Sequence, residues 1–104
     1  MKIKIRLDEY KMLLVASTQF MNNQQYLESA KLIKCIVFEF FHKKHLTKFI
    51  AAQQLRKESL SLTLTEAEIV AFDRILSDFK PKDLHDDALK NIIHPKINIA
   101  CLSI

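Results

Sequence analysis

The sequence predicts an α+β fold, a mostly helical single domain with about five helices around a central buried helix and a small two- or three-stranded sheet. Two observations carry this. The stretch Tyr26 to Phe41 has eleven apolar residues in sixteen. At about 100° per residue, Glu28, Lys31, Lys34 and Glu39 share one arc of roughly 140°, leaving about 220° apolar where a surface helix needs about half that width. Phe38 and Phe40 then lie about 200° apart, so burying both requires cover from two sides, by the rest of the domain or by a second copy. The other observation is a pair of short alternating segments, Ile3, Ile5, Leu7 and Leu60, Leu62, Leu64, each running straight into a helix start.

Taken in order, Lys2, Lys4 and Arg6 alternate with the first aliphatic set, which gives a half-exposed strand over 2–7. Asp8 has the chemistry of an N-cap and Glu9 suits a first turn. Helix one is expected over about 9–21, with Tyr10, Leu13, Leu14, Ser17, Phe20 and Met21 inward. Asn22 and Asn23 turn the chain into the central helix, 24–43. The stripe Tyr26, Ala30, Ile33, Val37, Phe41 would run on into Lys44 and Lys48, whereas Leu46, Phe49, Ile50, Ala52 and Leu55 are out of phase with it. A break near Lys43 to His45 restores consistency and gives a third helix, about 46–56.

Ser61 and Thr63 alternate with the second aliphatic set in a strand over 59–64. Thr65-Glu66-Ala67-Glu68 is a capping-box pattern. Helix four, about 66–79, buries Ile69, Phe72, Ile75, Leu76 and Phe79, and Pro81 stops it. Asp83 caps helix five, about 84–92, with Leu84, Ala88, Leu89 and Ile92 inward, and His94-Pro95 ends it. The tail alternates Ile97, Ile99, Cys101 with Asn98, Ala100, Leu102, the pattern of a closing strand over 97–103 covered on both faces. The run from Ile3 to Glu9 echoes the run from Leu60 to Glu66 at a spacing of 57 residues, the mark of a common local pattern used twice independently or, as the alternative, of an ancient duplicated β-α unit.

The chain has 104 residues, 49% hydrophobic and 27% charged, so one domain over 1–104 with one core is expected. It contains no glycine, and Walker loops, dinucleotide fingerprints and nucleophile elbows all need glycine for positive φ or close backbone approach. Left-handed positions would fall to Asn or Asp, with Asn22 and Asn23 foremost. Asp8 and Glu9 interrupt any signal-like start, and Lys34 and Glu39 interrupt the longest apolar run, so a cytoplasmic protein without a membrane partner is expected. Cys35 and Cys101 are expected reduced and packed.

Cys35 and His42 stand about 10 Å apart along a helix axis, too far for two ligands of one zinc ion, and His42 with His45 lacks a third ligand. No metal or cofactor is expected. His85, Asp86, Asp87 and His94 fit dipole pairing and a surface loop better than acid–base work. An enzyme is not expected.

Residues 1–57 hold eleven Lys or Arg and four Asp or Glu, a charge of +7, while residues 58–104 hold five and eight, a charge of −3, together the net +4. The densest cations are Lys43, Lys44 and Lys48, with Arg56 and Lys57 at the next helix end and Lys2, Lys4 and Arg6 on the first strand. Two functions follow. The leading one is a non-enzymatic interaction module, a homodimer through the wide apolar face of the central helix. The alternative is a small nucleic-acid-binding accessory protein whose phosphate contacts are Lys43, Lys44, Lys48, Arg56 and Lys57.

Overall fold

A computed structural model describes residues 1–22 and 28–104, and the side chains of residues 28–30 are left aside. The part of the central segment from Gln24 to Leu27, with Asn23 before it, lies outside the described residues. The order is β1 (Lys2–Arg6), α1 (Leu7–Asn22), α2 (Glu28–Phe38), a π-helical turn (Glu39–His45), α3 (Leu46–Gln54), β2 (Ser59–Thr63), α4 (Glu66–Asp78) and α5 (Leu84–Leu102). Because α2, the π turn and α3 run on without a break, the described residues make four helical rods over one two-stranded sheet.

β1 and β2 pair antiparallel, Ile3 opposite Leu62 and Ile5 opposite Leu60. These four side chains are buried and form the sheet's inner face. Both strands enter helices through a glutamate at the third helical position whose carboxylate accepts the backbone N–H of the residue before the helix. In α4 the Thr65 hydroxyl accepts from the Glu68 backbone N–H at 3.2 Å while the Glu68 carboxylate accepts from the Thr65 N–H at 2.8 Å. In α1 the Glu9 carboxylate accepts from the Arg6 N–H at 3.0 Å. The helix therefore starts at Leu7, and Asp8 is an interior first-turn residue rather than the cap. Both carboxylates are buried.

α4 packs against α1, α2 and α5, and its fully buried Phe72 meets the rings of Phe40 and Phe41 at 4.8 and 5.8 Å. The centre of the core is thus shared between α4 and the π turn. The break expected near Lys43 to His45 takes the form of that turn. The Leu46 N–H donates to the Phe41 carbonyl, five residues back, and the wider winding keeps residues four apart on one face. Phe41 and Phe49 accordingly close on the same ring, Tyr10, one edge-on at 5.4 Å and one stacked at 4.3 Å.

The expected strand over 97–103 is helix. α5 continues through Pro95, whose missing N–H removes one helical hydrogen bond, because Leu89, Ile93 and Ile97 make a buried stripe that Ala100 and Cys101 extend. That period outweighs the alternation of Ile97, Ile99 and Cys101. It also displaces the expected inward set: Leu89 is buried, while Leu84, Ala88 and Ile92 face out.

Segment 31–45 is buried on one side only. Val37, Phe40 and Phe41 enter the core, whereas Leu32 and Phe38 are 67% and 54% exposed. Cys35 is free and exposed rather than packed. The left-handed residue among those described is Arg56, at φ 55°, and not Asn22, which is helical. Arg56 ends α3 in a Schellman turn, with the Arg56 N–H on the Gln53 carbonyl at 3.1 Å and the Lys57 N–H on the Ala52 carbonyl at 2.9 Å.

Candidate functional site

The five cations expected to contact nucleic acid are divided by the fold. Lys43 pairs with Glu39 on its own turn at 3.5 Å. Lys44 reaches away from it to the buried Glu68 carboxylate at 3.0 Å. Arg56 forms the left-handed corner after α3. Lys48 and Lys57 are brought together, on either side of a hollow of about 410 Å³ between α3 and β2 that Lys4, Ser59 and Ser61 also line.

That hollow opens beside the sheet's outer face. There Lys2, Lys4 and Arg6 stand opposite Thr63, Ser61 and Ser59, three cations facing three hydroxyls. The Leu64 N–H donates to the Met1 carbonyl at 2.7 Å and the Leu7 N–H to the Glu58 carbonyl at 3.2 Å. Since hydrogen-bonded and non-bonded pairs alternate in an antiparallel ladder, Ser59, Ser61 and Thr63 turn their backbone groups toward the free edge of β2. Lys48 Nζ donates to the Ser61 carbonyl on that edge. Arg6 is held by Asp8 at 2.9 Å. A second hollow, about 480 Å³, continues past Lys57 and Ser59 to Arg6, Asp8 and Glu58. The grouping of Lys4 with Lys48 and Lys57 was hidden in the sequence because it depends on which edge of β2 meets α3.

Two further buried polar side chains, His45 and Tyr10, lie against aromatic rings. His45 is 7% exposed, lies 4.5 Å from the Phe40 ring, and has no hydrogen-bond partner on either nitrogen. Burial pushes its pKa down, Lys48 and Lys44 add to this, and Glu68 and the Thr63 backbone oppose it. The Thr63 backbone lies near enough to favour the charged ring without making a well-formed hydrogen bond. Tyr10 Oη is also buried without a partner, and burial raises its pKa to about 12.

Ser77, His94 and Asp73 meet across α4 and α5, yet they are not wired for nucleophilic catalysis. His94 Nε2 lies 3.3 Å from Ser77 Oγ and 3.4 Å from Asp73 Oδ1. A relay needs the carboxylate on one ring nitrogen and the hydroxyl on the other. Ser77 Oγ also donates to the Asp73 carbonyl at 2.8 Å, and Asn98 Nδ2 donates to Asp73 Oδ1 at 3.0 Å. Desolvation and Asp73 raise the pKa of the Cys101 thiol. The group fastens α5 to α4. Among the described residues no three His, Cys, Asp or Glu side chains converge as metal ligands.

The most unusual surface is the outer face of α5. Leu84, Ala88, Ile92, Pro95, Ile99 and Leu102 fall within about 80° at 100° per residue, directly opposite the buried stripe, and all six are exposed. Leu84, Ile99 and Leu102 are 87%, 66% and 79% exposed. No polar residue interrupts the arc; its borders are Asn91 on one side and His85, Lys96 and Ser103 on the other. The outer face of α2 is narrower and mixed, with Leu32, Cys35 and Phe38 among Lys31, Glu39 and His42. Sequence reasoning missed the α5 face because it assigned half of it to the core and the rest to a strand.

No helix among the described residues is long and apolar enough to cross a membrane. Comparison of the chain with family models, with characterised proteins and with solved structures found no match.

Proposed function

We propose that this protein is a non-enzymatic interaction module that pairs with itself, and that α5 rather than α2 supplies the contact. The observation that carries the reading is the uninterrupted apolar arc from Leu84 to Leu102. Six adjoining outward positions without a polar side chain are poor design for a free surface.

The spacing favours a second copy as the occupant. Residues 88, 92, 95, 99 and 102 recur at alternating steps of four and three, the seam that an equivalent helix fills by knobs-into-holes packing. Two α5 helices lying antiparallel about a two-fold axis present the same stripe to each other, as an isologous contact requires. Lys96 is the single Lys, Arg, Asp or Glu on either border, so charge does not oppose close approach. α2 fails this test, since Lys31 and Glu39 would be desolvated beside Leu32 and Phe38.

The stripe runs about 27 Å along the helix at 1.5 Å per residue and is one side chain wide. That is less than the roughly 800 Å² per partner of a standard interface, so a dissociation constant in the micromolar range is expected. Sedimentation of the wild-type chain over a range of micromolar concentrations should give a mass rising from 12.1 kDa toward twice that value. A constant monomer mass would remove the proposal.

The nucleic-acid reading keeps support for Lys48 and Lys57 alone among its five cations. Lys44 is engaged by Glu68 and Lys43 by Glu39.

A further inference from the structure

We infer that the outer face of the β1–β2 sheet is a binding site for the phosphate backbone of single-stranded nucleic acid, held by Lys2, Lys4, Lys48 and Lys57. It lies away from α5, so it stands or falls independently of self-pairing.

Spacing points to a polymer rather than to a lone phosphate. Lys2, Lys4 and Arg6 occupy alternate positions of one strand and therefore repeat about every 7 Å, two residues at roughly 3.4 Å each. This is close to the separation of neighbouring phosphates along an extended nucleic-acid strand. A single phosphate would instead require the cations to converge on one point. Asp8 holds Arg6 at 2.9 Å, which leaves Lys2 and Lys4 in the row and adds Lys48 and Lys57 across the hollow.

The rest of the face supplies what a phosphodiester needs. Ser59, Ser61 and Thr63 offer hydroxyl donors opposite the cations, and the free edge of β2 turns backbone N–H groups toward the same hollow. Residues 2, 4, 6, 59, 61 and 63 include no carboxylate to repel phosphate and no aromatic ring to stack a base. Binding should therefore track the backbone and ignore base sequence. Lys48, Ala51, Ala52 and Leu55 wall one side of the hollow, making a trough that suits an extended strand. A bare ribbon would suit the major groove of a duplex instead.

The test is fluorescence anisotropy with a labelled oligothymidylate strand, read as log K against log salt. Four cations at about −0.7 per phosphate on a single strand predict a slope of about −3. The double variant Lys4→Gln with Lys57→Gln should flatten it by about 1.4, while Lys43→Gln leaves it unchanged; all of these residues are exposed, and thermal melts confirm folding. Three results would overturn the site: no salt-dependent binding by the wild type, a double variant with the wild-type slope, or tighter binding to the matching duplex or to phosphatidylserine vesicles than to the single strand.

Discussion

Lys44 Nζ lies 3.0 Å from Glu68 Oε2, while the other carboxylate oxygen accepts the Thr65 backbone N–H that opens α4. One buried carboxylate thus joins the π turn to a helix cap. The Lys44 side chain is 43% exposed and that of Glu68 is 5% exposed, so removing the cation leaves a charge that water reaches poorly. Lys44→Gln should cost about 1–2 kcal/mol, between the values for exposed and buried pairs. Lys43→Gln, whose partner Glu39 is exposed, should stay within about 0.5 kcal/mol. Denaturant melts of the two variants check this, and equal effects would contradict it.

Tyr10→Phe should stabilise the fold. The hydroxyl is buried without a partner, and leaving such a group unsatisfied costs about 1–3 kcal/mol, whereas the ring contacts with Phe41 and Phe49 survive. A gain of about 1 kcal/mol in urea melts is expected. A loss would show that the hydroxyl makes a bond the ring alone does not replace.

His45 should make stability depend on pH. Its pKa falls below the ordinary 6.5 on folding because of burial and the nearby Lys48. Below pH 6.5 the unfolded chain then binds a proton that the folded chain refuses. The contribution is complete above pH 6.5 and is lost as pH falls from there to the folded pKa, below which both states are protonated and no more is lost. Lys44 and Lys48 on its own rod oppose the charged ring, and Glu68 on α4 only partly offsets them. His45→Leu should flatten the decline below pH 6.5. Parallel pH profiles for variant and wild type would contradict the assignment.

Arg56→Gly tests how a chain without glycine closes α3. A left-handed non-glycine residue costs about 1–2 kcal/mol, and glycine returns some of this through a freer unfolded chain. The net expectation is a stabilisation of about 0.5 kcal/mol, seen as a higher denaturant midpoint at unchanged slope. Destabilisation would mean that the Arg56 side chain holds the turn.

Local structure was legible wherever one short run of sequence carried a single signal. Thr65 with Glu68, Asp83 as the cap of α5, the two strands, and the Ile69 to Phe79 stripe can all be read from the chain. The harder features depend on competition between signals. Ile97, Ile99 and Cys101 alternate, but Leu89, Ile93 and Ile97 repeat at the helical period, and only the position of α4 decides between them. The phase slip between Val37 and Phe49 is visible in the sequence; that a π turn absorbs it depends on Tyr10 accepting both Phe41 and Phe49. Charge density alone grouped Lys43 and Lys44 with Lys48. Glu68, more than twenty residues away, draws Lys44 out of that group.

Self-pairing through α5 is tested most directly by comparing solution masses of the wild type, Ile99→Glu and Phe38→Glu in sedimentation equilibrium. Both replaced residues are exposed, 66% and 54%, so neither change disturbs the core. A charge at Ile99 must be desolvated in the seam, whereas one at Phe38 stays in water. A concentration-dependent dimer is expected for the wild type and Phe38→Glu, and a 12.1 kDa monomer for Ile99→Glu. A dimer that survives Ile99→Glu and is lost in Phe38→Glu would place the contact on α2 and contradict self-pairing through α5.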